Sequence, residues 1–220
     1  MRSALWRATL LASLVLTMDR PTDAASGTAP VCSPVRVGLD TTQANTYLVF
    51  YTGRSYGQTF TTGDTLIESI TFWRGSPTPV DNTPLRLFIT EVDSAGKPDV
   101  FHIVNSSAVI VVPPGDSVHA TPGVFAFSPP LALPHRGMFC FVVHDDLYCS
   151  DAEPLLGSTL DPYPNGRAWK FTADAYCENL GPPFGGQGGE TDDMIFAIEF
   201  CDTSTPTLRR TWGELKALYR

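Results

Sequence analysis

The chain has 220 residues, 43% of them hydrophobic and 11% aromatic, enough apolar material for one well-buried core plus tails. Only 17% of residues are charged, and 18 glycines with 19 prolines interrupt the chain throughout, which argues against coiled coils and helical bundles. A formal net charge of −8 repels phosphate backbones, so nucleic acid is not an expected partner.

Residues 1–25 read as a secretory signal peptide. Arg2 and Arg7 give a positive start, Ala8 to Leu16 a short apolar stretch, and Thr22-Asp23-Ala24-Ala25 small residues for cleavage. That stretch is short for a bilayer span, and nothing later in the chain is apolar enough to be one. The expectation is an exported protein, extracellular, cell-surface or periplasmic, with no membrane span after cleavage. Losing residues 1–25 removes three arginines and two aspartates and leaves 12 basic and 21 acidic residues, a net of −9.

Export changes the meaning of the five cysteines, which are expected to pair in an oxidising compartment. No Cys-x-x-Cys spacing suggests a zinc site or a thioredoxin-type motif. Spacing alone does not fix the pairing. The expected bridges are Cys149–Cys177, which flank one irregular loop, and Cys32–Cys201, which would tie the start of the fold to its last strand. Cys140, inside the apolar run Met138 to Val143, reads as a buried free thiol.

Short strand signals recur down the chain. Thr46 to Tyr51 and Ser55 to Thr61 come first, and Gly63-Asp64 turns the chain into Leu66 to Trp73, where Leu66, Ile70 and Phe72 are assigned one face. Leu85 to Val92 alternates Leu85, Leu87 and Ile89 against Arg86 and Thr90, the pattern of a sheet with one buried and one wet face. Val109 to Val112, Val124 to Phe127 and Met138 to Val143 follow, punctuated by prolines. The pattern lapses after Asp145 until Arg167 to Thr172, and Met194 to Cys201 closes the series. These short strands, with no long helix among them, predict an all-β antiparallel sandwich of jelly-roll type over residues 32–202.

Four segments carry a resemblance: Ser55-Tyr56-Gly57-Gln58-Thr59-Phe60-Thr61, Phe125-Ala126-Phe127-Ser128-Pro129-Pro130-Leu131, Tyr163-Pro164-Asn165-Gly166-Arg167-Ala168-Trp169, and Asp193-Met194-Ile195-Phe196-Ala197-Ile198-Glu199-Phe200. In this order the chain resembles the bacterial exported jelly-roll modules called choice-of-anchor or carbohydrate-binding-like (galactose-binding-like) domains. The resemblance covers about residues 46–201 and implies the fold; it implies no catalytic residue. The chain departs from that pattern at Asn165 and Ala197.

Three chemical readings follow. Gly53-Arg54-Ser55-Tyr56-Gly57 matches the Gly-x-Ser-x-Gly nucleophile pattern, with His102, His119, His135 and His144 downstream. That chemistry needs a strand, a strained turn and a helix, whereas the residues after Gly57 favour β structure, so an esterase acting through Ser55 is not expected. Glu190, Asp192 and Asp193 offer hard oxygen ligands for a structural Ca²⁺, although no calcium-loop pattern surrounds them. The stronger lead is aromatic: Tyr148, Tyr163 and Trp169, with Asn165 and Arg167 as polar neighbours, form a candidate platform for a glycan or other surface polymer, the alternative being that Trp169, alternating with Lys170, is core and Tyr163 packs its turn. The expected function is a non-catalytic exported binding module, the alternative a structural or surface-assembly protein with no small ligand.

Residues 203–220 lie beyond the resemblance. A linker around Thr205-Pro206-Thr207 precedes a capping-box pattern at Thr211 and Glu214, and Trp212, Leu215, Leu218 and Tyr219 fall at helical spacing. A helix that short is not stable alone in water, so this amphipathic segment is expected to dock on its own domain or on a partner.

Overall fold

The alternation in the sequence becomes two packed antiparallel sheets in the computed structural model, which describes residues 33–49, 54–75, 83–113, 119–145, 154–173, 179–184 and 193–202. The expected leader, Cys32, the Cys149 and Cys177 loop positions, and the C-terminal helical segment lie outside the described residues. The strands are β1 (Ser33–Gly38), β2 (Thr46–Val49), β3 (Arg54–Thr62), β4 (Leu66–Arg74) and β5 (Thr83–Val92). Then come β6 (Pro98–Ser106), β7 (Ile110–Val112), β8 (Thr121–Ala132), β9 (Gly137–Asp145) and β10 (Pro154–Ser158). The last are β11 (Ala168–Ala173), β12 (Leu180–Phe184), β13 (Asp193–Met194) and β14 (Phe196–Asp202).

One sheet runs β1-β14-β4-β8, with β10 beside the end of β4 carrying β2 and β13. The other runs β12-β11-β3-β9-β5-β6, with β7 also on β5. If β6 and β7 are taken as one interrupted strand, and the edge pair β11–β12 and the short β2, β10 and β13 are set aside as additions, the remaining eight strands follow the order 1-8-3-6 in the first sheet and 2-7-4-5 in the second. That is jelly-roll order, two sheets stitched by crossovers. Ser33 pairs with Asp202, so the two ends of the sandwich lie side by side.

Between the sheets sits the main core. Phe60 packs against Phe139, Phe141 and Phe200 with ring centroids 6.1–6.5 Å apart, and Phe141 meets Phe196 at 5.4 Å. Each fully buried side chain of this size stabilises the fold by roughly 2–3 kcal/mol through removal of apolar surface from water. Arg74, the last residue of β4, is fully buried and donates from a guanidinium nitrogen to the Val112 carbonyl at 2.5 Å. This bond joins β4 to β7 across the sandwich.

Two expectations are corrected here. In β4 the inward residue is Ile67, not Leu66, because the pairing with both β8 and β14 slips around Glu68 and Ser69. A bulge there adds a residue and resets the alternation, so that Ile67, Ile70 and Phe72 all reach the core. The second correction concerns the face of β5 read as wet. Phe88 and Thr90 on that face are buried, and Phe88 joins Cys140, Val142, Trp169, Phe171 and Leu180 in a second apolar cluster. The sheet's own edges explain this: β6 and β12 lie against each other, so the sheet curls over its outer face.

Gly57 is what lets the outer layer close. A Cβ there would stand 2.5 Å from the Phe141 carbonyl oxygen, 2.9 Å from the Phe171 ring and 3.0 Å from the Cys140 sulfur. Cys140 is a free, buried thiol, as the sequence suggests, and burial pushes it well above the ordinary thiol range. The thiolate is the reactive form. We therefore expect Cys140 to resist alkylation in the native protein at pH 8 and to label fully in denaturant, read by peptide mass mapping; rapid native labelling would contradict this packing. Cys201 is buried and disulfide-bonded, with its partner outside the described residues.

Candidate functional site

Three of the motif segments converge on one polar lock. The Gln58 carboxamide, on the inward face of β3, donates to Asp193 Oδ1 at 2.8 Å and accepts from the Met194 N–H at 2.8 Å. Asp193 Oδ2 accepts from the Tyr163 N–H at 2.9 Å. Gln58, Asp193 and Tyr163 are all buried, so one carboxylate and one carboxamide tie β3, β13 and the loop before β11 together across the two sheets. Buried polar groups persist only when so satisfied.

The lock sets the position of the turn at Tyr163–Arg167, which runs beside the end of β3. Thr59 holds Arg167 at both backbone groups: its N–H donates to the Arg167 carbonyl at 3.0 Å, and the Arg167 N–H donates to Thr59 Oγ1 at 2.9 Å. The Thr61 hydroxyl donates to the Asn165 carbonyl at 3.2 Å, and the Thr61 N–H to the Tyr163 phenol oxygen at 3.2 Å. Gly166 is required at the closest approach, since a Cβ would fall 1.9 Å from the Thr59 carbonyl oxygen.

Across from this turn stands the β5–β6 hairpin. Asp93 accepts from the backbone N–H groups of Ala95 and Lys97 at 2.8 and 2.9 Å, and Gly96 adopts φ +74°, the left-handed conformation glycine tolerates. Between the two turns lies an open groove of about 410 Å³. Thr59, Thr61 and Met138 form its floor, Asn165 and Arg167 one wall, and Ala95 and Gly96 the other. The Arg167 guanidinium carbon sits 4.1 Å from the centroid of the Trp169 ring, a cation–π contact that presets the side chain.

No protein-family model matches the chain, and no curated protein does either.

The predicted binding residues thus divide by place. Asn165 and Arg167 are exposed in the groove wall. Tyr163 and Trp169 are only 9% and 3% exposed. Tyr163 packs edge-on against Phe196 at 5.2 Å, and burial raises its phenol above the ordinary tyrosine value. Trp169 belongs to the second apolar cluster. Neither ring offers an open face for stacking, so the aromatic platform is replaced by a polar wall backed by a buried indole. Tyr148 lies outside the described residues.

Of the calcium candidates, Glu190 and Asp192 lie outside the described residues. Asp193 is fully buried, with both carboxylate oxygens already accepting hydrogen bonds in the lock. Among the described residues no three His, Cys, Asp or Glu side chains gather to hold a metal.

Ser55 finds a histidine the sequence did not single out. Its Oγ lies 2.5 Å from His144 Nδ1, on the neighbouring strand β9, and both residues are 0% exposed. Cross-strand pairing explains the meeting, because Tyr56 opposite Val143 sets Ser55 beside His144. Ser55 sits within a regular strand, flanked by β9 and β11, without the exposed turn that a nucleophile elbow requires. The arrangement satisfies two buried polar groups.

Proposed function

We propose that this protein is an exported, non-catalytic binding module that recognises a glycan or another surface polymer across the groove at Thr61, Asn165 and Arg167. The observation that carries the reading is the groove itself: two exposed polar side chains, fixed from behind by the Thr59 pairing and the Trp169 ring, line an open cleft. Its size falls within the range of small-ligand sites. The jelly-roll resemblance supports the same reading by analogy of fold, and the burial of Ser55 and His144 favours a site without catalysis. Export belongs to the proposal, with removal of residues 1–25 and a Cys32–Cys201 bridge formed in an oxidising compartment. The pairing of Pro34 with Cys201 favours that bridge, since it runs the start of the domain along the last strand.

A second reading, a surface-assembly protein without a small ligand, draws on Phe101, which stands 90% exposed at an irregular stretch of β6, and on Val111, 61% exposed in β7. A glycan array separates the two. Signals that fade in an Asn165→Ala variant of unchanged thermal midpoint support the binding module; a blank array with self-association abolished by Phe101→Ser supports assembly.

A further inference from the structure

We propose that the groove selects an oxyanion-bearing saccharide, a uronic acid or sulfated sugar unit whose acid group pairs with the Arg167 guanidinium. This rests on the binding-module reading and names the ligand class for the same site.

The first observation is the charge of the lining. On a chain with a net charge of −8, no Asp or Glu among the described residues lines the groove, and the charged side chain among them that does is Arg167. Exposed Lys97 and Arg136 lie close in sequence to the lining residues Gly96 and Met138. Among the described residues, none of these three cations forms an ion pair. The carboxylate in the nearby hairpin, Asp93, is engaged by the backbone N–H groups of its own turn.

The second observation is preorganisation. Arg167 is pinned at its backbone N–H and carbonyl by Thr59, and its guanidinium rests over an indole that is itself buried. Ordering a long, flexible side chain is a main cost of binding, and here much of that cost is met before a ligand arrives. A cation–π contact of this kind consumes none of the guanidinium's N–H donors in hydrogen bonds and leaves them for a ligand. Those donors match the paired oxygens of a carboxylate or a sulfate, which a lysine ammonium does not.

Third, the neighbouring groups suit sugar hydroxyls. The Asn165 carboxamide makes no hydrogen bond among the described residues, and it offers both a donor and an acceptor. The apolar floor at Met138 suits the C–H face of a sugar ring. A neutral saccharide would leave the guanidinium desolvated without an anion, which disfavours it relative to an acidic one.

The test is affinity electrophoresis of the full chain through gels containing polygalacturonate, dextran sulfate or neutral dextran, at low and at near-molar salt. The expected result is retardation by one or both polyanions and not by dextran, weakened at high salt. Arg167→Gln is expected to raise the dissociation constant by about 10-fold or more, the loss of one charge-assisted pair, with only a small fall in the thermal midpoint, since the exposed side chain gives up no more than its contact with the Trp169 ring. The stronger of the two polyanions identifies the oxyanion as carboxylate or sulfate. Equal retardation by dextran, or polyanion binding indifferent to Arg167→Gln, overturns the charge assignment and leaves a glycan-binding module standing. Retardation by none of the three also overturns it. The glycan array then decides separately whether any saccharide is bound.

Discussion

Asp193→Ala is expected to lower the thermal midpoint by roughly 10 °C or more, a loss of about 3–5 kcal/mol. The side chain is fully buried, and its removal takes the acceptor from two donors at once, one N–H of the Gln58 carboxamide, whose amide nitrogen keeps the Thr59 carbonyl, and the Tyr163 N–H. Each unsatisfied buried donor costs about 1–3 kcal/mol, and the vacated space adds a cavity term. Asp193→Asn keeps one acceptor and turns a second donor toward the existing donors, so an intermediate loss is expected. Gln58→Leu should cost nearly as much, because it removes the donor to Asp193 Oδ1 and the acceptor of the Met194 N–H. The double variant should fall short of the sum, since both residues belong to one network. Urea unfolding of the wild type and the four variants measures this. A loss below about 1 kcal/mol for Asp193→Ala would remove the lock from the account of stability. A midpoint that falls on adding EDTA to the wild type, but not to Asp193→Ala, would make the carboxylate a metal ligand instead.

The lock also marks the boundary of what the sequence discloses. Gln58, Tyr163 and Asp193 each stand in a recognisable segment, but 135 residues separate Gln58 from Asp193, and local alternation says nothing about such a meeting. Periodicity does find the strands it can see. Leu85, Leu87 and Ile89 face the core as their spacing requires. It fails where a second condition intervenes. The bulge in β4 transfers the inward role from Leu66 to Ile67, and no residue type there announces the slip. β6 escapes because its alternation is broken at Asp99, whose carboxylate accepts from the Phe101 N–H and pairs with His102. β8 runs through Pro129 and Pro130, which read as stops; beyond β4 it is an edge strand, where a missing N–H is tolerated.

The binding residues follow the same logic. Asn165 and Arg167 are legible as polar groups in a turn, and they do line the groove. Tyr163 and Trp169 fit either a platform or a packed role in the sequence, and the structure gives them the packed one, because exposure is a tertiary property. Period-2 reasoning places Trp169 on a face of β11 but does not reveal that β6 and β12 close over that face. The Ser55–His144 contact is hidden for a related reason: four histidines follow Ser55, and only the β3–β9 register selects one.

Gly166→Ala should remove ligand binding without altering any side chain that touches the ligand. The added Cβ would stand 1.9 Å from the Thr59 carbonyl oxygen, 2.8 Å from its carbon and 2.9 Å from the Tyr163 ring. Two of these obstacles are backbone atoms of a central strand, so the turn must move away from β3. Displacement breaks the pairing between Thr59 and Arg167 and the Thr61–Asn165 bond, and the wall of the groove leaves its floor. The expected loss of stability is about 2–4 kcal/mol, from overpacking plus strained or lost hydrogen bonds. Asn165→Ala supplies the contrast. That carboxamide makes no hydrogen bond among the described residues, so stability should stay within about 0.5 kcal/mol while binding falls. Thermal scans and affinity electrophoresis on both variants separate the turn's structural role from its contact role. A Gly166→Ala protein with the wild-type midpoint would mean that the turn is not clamped to β3, and the preset position of Arg167 would lose its physical basis.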